Sequence, residues 1–250
     1  MNSQHLVQQN FNRAATNYLT HATMQRTVAH KLIKHAQAYI NSETQIILDL
    51  GSGPGTFSHS DQQPKNPIIA IDLSLNMLKT SSHSTKINAD ATKLPLSADS
   101  IDIIISNLML QWPPNKQAAF NEISRVLKPT GKAIFTTLVT PSLNELISGW
   151  AQLDNAQHTL KFLNTQNYTQ LAEKAQLRLI KQNNWHEKLF FKDLFSLFKH
   201  FSQTGTNLPK TTGQGLGGKT RLKQLELIYP REDRGFPLSY YYLIQCYSKE

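Results

Sequence analysis

The chain has a single cysteine, Cys246, in 250 residues, which excludes an internal disulfide and a metal site built on cysteine thiolates. No window approaches the roughly 18 consecutive apolar residues that a membrane helix needs, so no membrane partner is expected. The opening stretch, MNSQHLVQQNFNRAA, has neither an apolar core nor a small-residue cleavage site. A secretory leader is therefore not expected, and the cytoplasm is the expected location. Charged residues are also scarce, at 17% against roughly 25% in an average soluble domain. The polar character comes instead from amides, 18 Asn and 20 Gln. No internal repeat or low-complexity tract is present, which sets aside solenoids and disordered arrays. What remains is 39% apolar residues, enough at this length for the core of one large domain.

Acidic residues are the scarcer sign: 26 Lys and Arg stand against 17 Asp and Glu, a net charge of +9. The excess concentrates between Lys174 and Lys223, where ten basic residues face only Glu187 and Asp193. This segment holds no Arg-rich run and no RNA-binding signature, so a nucleic-acid partner is not expected. Its basic residues alternate with Phe190, Phe191, Phe195, Phe198 and Phe201. That pattern reads as the solvated face of an amphipathic helix or as a docking surface for something acidic.

Residues 4–40 contain no Pro or Gly and carry Val28, Leu32 and Ile33 at helical spacing, which predicts a helical N-terminal region. Ile46–Leu50 and Ile68–Asp72 are short apolar runs that predict buried strands, each followed by a turn and a helical stretch. A weaker strand is expected at Ile87–Asp90. Ile101–Ser106 is too continuously apolar to own a solvated face, which favours a central parallel position. A helix over Asn115–Leu127 is expected to stop at the turn Lys128-Pro129-Thr130-Gly131, before a strand over Lys132–Thr140. Strands separated by helices from 46 to 140 specify right-handed crossovers and an α/β, doubly wound, Rossmann-like sheet.

Beyond Pro141 the pattern predicts helices at Leu143–Leu153, Thr169–Gln176, 190–202 and Lys219–Ile228. Strands are predicted at Leu177–Trp185 and Ser239–Tyr247, able to pair antiparallel at the sheet edge, with a loop over TNLPKTTGQGLGG. One domain over 1–250 is expected: an N-terminal helical lid over 1–40, a cofactor-binding core over 46–140, and a C-terminal part over 141–250. That last part combines a helical insertion facing substrate and carrier with the terminal strands.

The chemically informative stretch is Leu48-Asp49-Leu50-Gly51-Ser52-Gly53-Pro54-Gly55, a strand running into a glycine-rich turn. It departs from the dinucleotide fingerprint G-x-G-x-x-G and lacks the Gly-Lys-Ser/Thr of a phosphate loop. An acid, Asp49, precedes the first glycine; a carboxylate there suits a cationic ligand and repels a pyrophosphate. Asp72 ends the second strand, where a carboxylate can accept from both hydroxyls of a ribose. Asp90 ends the third, beside Ala91, where it can meet an adenine amino group.

These residues carry a resemblance. LDLGSGPG, AIDLSLNML, NADATKLPLSADSIDIIISNLMLQW and RVLKPTGKAIFTT resemble, in that order, the motifs of the class I S-adenosylmethionine-dependent methyltransferases. The flanks narrow it. Phe11-Asn12-Arg13-Ala14-Ala15-Thr16-Asn17-Tyr18 with Ala22 and Gln25 resembles the F-x-R-A-A-x-x-Y…A-x-x-Q signature of the malonyl-acyl carrier protein O-methyltransferases of biotin synthesis. LFKHFSQTGT, GQGLGGKTRLKQLELIYP and FPLSYYYLI resemble that family's C-terminal blocks. Thr206 and Ser239 replace its usual Ala and Thr, and the first crossover segment, SHSDQQPKNP, is short and polar.

The resemblance implies S-adenosylmethionine as cofactor, leaving S-adenosylhomocysteine. It implies that Asp49, Gly51, Ser52, Gly53 and Gly55, at the first turn, hold the methionine part, and it counts Tyr18 and Gln25 among the cofactor-binding residues. It places Asp72 and Leu73 at the ribose, and Met77, Asp90 and Ala91 at the adenine, with Asn107 lining the pocket. Met77 has the plainer alternative of core packing. The implied reaction methylates the free carboxylate of a malonyl thioester on acyl carrier protein or coenzyme A, by a monomeric enzyme. No Ser-His-Asp or Cys-His pattern surrounds the turn, and a carboxylate ionised at neutral pH needs no general base. Tyr18 is the candidate for closing over the methyl donor, or else it closes the core. Arg13 and Lys199 are candidates for holding the substrate carboxylate, Arg13 with the alternative of a helix-surface ion pair. Two other classes stay open: a methyltransferase acting on another small carboxylic acid or a modified tRNA base, and a catalytically silent partner subunit.

Overall fold

A computed structural model describes residues 3–55, 64–154, 156–206 and 218–250. Its strands are β1 (Ile47–Leu50), β2 (Ile68–Asp72), β3 (Thr85–Asn88), β4 (Ile101–Asn107), β5 (Leu127–Leu138), β6 (Leu177–Phe191) and β7 (Phe236–Lys249). They form one sheet in the order β3-β2-β1-β4-β5-β7-β6. β1 to β5 run parallel; β7 lies antiparallel to β5, and β6 antiparallel to β7. The chain winds outward one way through β2 and β3 and the other way through β4 and β5. The reversal leaves a crevice at the carboxyl ends of β1 and β4, where doubly wound sheets bind ligands.

Sequence patterning explains the layers. β1 is buried on both faces, so its side chains show no polar alternation. On one face, Ile47, Ile103, Ile105 and Ile134 pack with Leu32 and Ile33 of α3 (Thr23–Ala36). On the other, Leu48, Ile104 and Phe135 pack with Phe120 and Ile123 of α5 (Lys116–Val126) and Tyr168 of α7 (Thr165–Lys174). The abundant amides are partly used as N-caps. Asn115 accepts from Ala118 N at the start of α5, and Asn164 from Asn167 N at the start of α7. Ser74 does the same for α4 (Leu75–Thr80), and Asp193 for α8 (Leu194–Gln203).

Several expected boundaries are corrected. The N-terminal region is three helices, α1 (Ser3–Ala14), α2 (Tyr18–His21) and α3, because Thr16 and Asn17 are poor helix formers. Lys128–Gly131 is not a turn between elements; it lies inside β5, with Thr130 at φ 64° where the register to β4 shifts, from Ile101 opposite Leu127 to Ile103 opposite Lys132. Phe190 and Phe191 end β6, and the helix begins only after the Asp193 cap. β3 ends at Asn88, two residues early, so Asp90 sits in the following turn. The helices α6 (Asn144–Ala151) and α9 (Gly218–Ile228) fall close to expectation. Most of the first crossover segment and of the glycine-rich loop, 56–63 and 207–217, lies outside the described residues. Among the described residues no helix is long and apolar enough to cross a membrane.

Candidate active site

The turn after β1 is stitched to the neighbouring strand: Gly51 N and Ser52 N both donate to Ile71 O, at 2.7 and 3.0 Å. Gly51 sits at φ 72°, and a Cβ there would lie 2.2 Å from Met109 Cγ, so both conformation and space require glycine. Gly53, at φ 55°, has nothing within 4 Å of where a Cβ would stand, because it faces the cavity. Ser52 and Gly55, expected at the ligand, are buried behind this wall and do not line the cavity.

Gly53 N donates to Asp72 Oδ2 at 2.8 Å, and Ser74 N donates to Asp72 Oδ1 at 2.7 Å. Each oxygen keeps a further lone pair for a ligand hydroxyl. Burial pushes the Asp72 carboxyl up to about 6, against the pull of the two backbone N–H groups and with a further push from Asp49. Asp90 lines the same cavity; its Oδ1 accepts from Thr92 N at 2.8 Å and its Oδ2 from the Gln4 amide of α1. Asp49 is placed differently from expectation. It is 1% exposed beneath the turn, is not among the cavity-lining residues, and has His83 Nε2 at 3.6 Å. Burial, the larger effect, raises its pKa, and the hydrogen bond and charge of His83 pull it back down.

Helix α1 lies across this end of the sheet. Gln8 Nε2 donates to Leu73 O at 2.8 Å, and Asn12 Oδ1 accepts from Ser74 Oγ at 2.7 Å. Its Val7 and Phe11 line the cavity, with Phe11 edge-on to Trp112 at 5.1 Å between centroids. Tyr18, Leu73, Met77, Ala91 and Asn107 line it too. Burial first, and then the Asp72 charge, push the Tyr18 hydroxyl well above the ordinary tyrosine range, so it stays protonated. Asn107 Oδ1 accepts from Thr136 Oγ1 at 2.8 Å while its Nδ2 donates to Gln25 O at 3.0 Å, joining α3 to the end of β4. Gln25 is buried against the cavity, and its Oε1 has no hydrogen-bond partner among the described residues.

The cavity continues to an apolar end formed by Leu138, Leu143, Leu160, Phe162 and Phe201. His200 on α8 and Tyr240 on β7 belong to that wall, with His200 Nε2 3.1 Å from the Tyr240 hydroxyl. Sequence reasoning missed both, since a single histidine in a Phe-rich helix and one tyrosine of SYYYLIQCY carry no distinguishing spacing. The two expected cations are elsewhere. Arg13 is exposed and donates to Asn10 Oδ1 at 3.3 Å, and Lys199 is exposed on α8. A step of one residue turns a helix by about 100°, which is why Lys199 faces outward while His200 faces in.

The doubly wound sheet with a reversed β7, and the acid–glycine turn at its switch point, define a methyltransferase domain; residues 48–135 match the methyltransferase domain family. The YcgJ protein of Bacillus subtilis has the same fold, with a TM-score of 0.64 at 17% identity over 89% of this chain and 99% of that one. The chain is 33% identical over 239 residues to the malonyl-[acyl-carrier protein] O-methyltransferase of Pectobacterium atrosepticum, covering 94% of this chain and 92% of that protein. It belongs to the malonyl-[acyl-carrier protein] O-methyltransferase family. It is also 32% identical to the biotin biosynthesis bifunctional protein BioHC of Cellvibrio japonicus, spanning about half of that protein's length (49%).

Proposed function

We propose that this enzyme transfers a methyl group from S-adenosylmethionine to the free carboxylate of a malonyl thioester, carried by acyl carrier protein or coenzyme A, in the cytoplasm. What carries the reading is one cavity with two unlike ends: an acid-bearing end at the switch point and an apolar end roofed by α8. The near-full-length likeness to malonyl-[acyl-carrier protein] O-methyltransferases supports the choice of substrate.

The residues fit the donor. Asp72 would take the ribose hydroxyls and Asp90 the adenine amino group, with Met77 and Ala91 beside the ring. The unpartnered Gln25 Oε1, which lines the cavity, suits a cationic ammonium group. Bound there, the donor supplies an electrophilic methyl group on a positively charged sulfur. The reaction this would allow, attack of a substrate carboxylate oxygen on that methyl carbon with the carbon–sulfur pair leaving on sulfur, would move no proton. The site accordingly needs no base, and Tyr18 with its raised pKa is suited to donate a hydrogen bond rather than accept a proton. Two opposite charges vanish in this step, so the apolar wall of Phe11, Trp112, Phe162 and Phe201 favours it by excluding water that would solvate the separated charges.

A direct test uses S-adenosylmethionine labelled in its methyl group, with malonyl-coenzyme A as acceptor. The reading expects label in the thioester that mild alkali releases as methanol, because the bond formed is an ester. Label that resists alkali, or no transfer, would overturn it.

A further inference from the structure

We propose that His200 and Tyr240 form the subsite that holds the substrate's carboxylate, through the one hydrogen-bond donor that their mutual contact leaves free. The proposal rests on the malonyl thioester reading above and assigns the residues that recognise the charged end of that substrate.

A carboxylate entering the apolar half of the cavity loses water and must find donors there. Among the described residues lining the cavity there is no Lys or Arg. Two other polar side chains of the cavity already have partners. Gln111 Nε2 donates to Leu108 O at 2.8 Å and its Oε1 accepts from Thr137 Oγ1 at 3.0 Å. Thr206 Oγ1 pairs with Thr204 Oγ1 at 2.9 Å. The His200–Tyr240 pair is different by simple counting. A neutral imidazole has one N–H and a phenol one O–H, and their mutual bond uses only one of the two protons. If His200 carries its proton on Nε2, the Tyr240 O–H is left over; if on Nδ1, that N–H is left over. Either tautomer leaves one donor for a ligand.

The pair is held in place by packing. The His200 ring lies 5.5 Å from Phe191 and 5.7 Å from Phe201, and Tyr240 stacks on Tyr242 at 6.1 Å. Glu145, the nearby acid, is occupied by Ser239, which donates to it from both its N–H and its hydroxyl. Burial holds His200 below the ordinary histidine range and Tyr240 well above the ordinary tyrosine range, so both are neutral at pH 7.

Neutral donors suit the chemistry better than a cation would. A guanidinium gripping both oxygens would withdraw the electron density that the attacking oxygen needs, whereas one neutral hydrogen bond orients the group and leaves the second oxygen nucleophilic. The methyl ester formed carries no charge and accepts more weakly, which favours its release.

The experiment compares malonyl-coenzyme A with butyryl-coenzyme A, of similar size but lacking the carboxylate, as ligands of the full chain loaded with S-adenosylhomocysteine. Wild type, His200→Phe, His200→Gln and Tyr240→Phe are measured, with steady-state turnover of malonyl-coenzyme A alongside. A hydrogen bond to a charged group predicts that wild type prefers malonyl by about tenfold or more, and that His200→Phe and Tyr240→Phe each lose part of that preference because the remaining donor has lost the partner that aims it. KM should rise about as much, while the Kd for S-adenosylhomocysteine stays within about twofold. His200→Gln, which keeps a donor, should recover part of the preference. Tyr240→Phe preserves the ring and covers the case in which a His200 variant fails to fold. An enzyme that turns over while both Phe variants keep the wild-type preference overturns the subsite alone. A wild type with neither turnover nor preference overturns the functional reading beneath it.

Discussion

Gly53 N donates to Asp72 Oδ2 at 2.8 Å, so the glycine turn after β1 and the acid at the end of β2 form one unit before any ligand arrives. The carboxylate is thereby aimed at the cavity, but burial holds its pKa at about 6. The folded protein binds this proton more tightly than the unfolded chain, whose value lies near the ordinary 3.8. The stabilisation this brings is present below that value and is lost as pH rises through about 6.

Ligand binding has the opposite sign, because ribose hydroxyls donate to the ionised form. Affinity for S-adenosylhomocysteine should therefore fall as pH drops through about 6. Asp72→Asn should weaken binding by about tenfold or more at pH 7.5, as expected for losing charge-assisted bonds, and should flatten the pH dependence. Calorimetric titration from pH 5 to 8 checks both; unchanged affinity in the variant would remove Asp72 from the ligand site.

Gly51 and Gly53 should respond differently to alanine. Gly51→Ala drives a Cβ into the Met109 side chain and strains a positive φ, so stability and ligand binding should both fall, by well over about 1 kcal/mol for stability. Gly53→Ala meets open space and should cost only the left-handed conformation, about 1–2 kcal/mol. Thermal unfolding with and without S-adenosylhomocysteine separates the two.

Tyr18, at the start of α2, lines the cavity, and its hydroxyl stays protonated across the working pH range. Tyr18→Phe should lower kcat severalfold while Tm moves by no more than a degree or two. Equal losses of Tm and activity would return Tyr18 to a purely structural role.

The inner face of α8 lines the cavity through His200 and Phe201, and its outer face carries Lys199 and Phe195, which is 68% exposed. An acidic carrier protein docked there would sit beside the cavity. Lys199→Glu should raise KM for malonyl-carrier protein severalfold and that for malonyl-coenzyme A less, with the difference shrinking between about 50 and 300 mM salt as exposed charges are screened. Equal effects on both substrates would leave this charge as a solvated face.

The parts of the fold legible in the sequence are those where burial is one-sided in composition. Ile46–Leu50 and Ile101–Ser106 announce central strands because both faces are covered; Asp49, Gly51 and Gly53 stand at the end of the first, and Asp72 ends β2. β6 outran its expected end at Trp185 because it is the edge strand: His186 and Lys188 are exposed, and the half-buried Glu187 interrupts the apolar set Trp185, Leu189 and Phe191. Lys199 stood out by charge and His200 by nothing. Which of two adjacent helical residues faces the cavity depends on how α8 packs against β6 and β7, and that is a tertiary fact.

The central claim is best tested by intact-mass spectrometry of malonyl-acyl carrier protein after incubation with the enzyme and S-adenosylmethionine. The account expects the mass gain of a single methyl group on the malonyl arm, with free malonate left unmodified beside it. A carrier protein whose mass does not change, or equal methylation of free malonate, would contradict it.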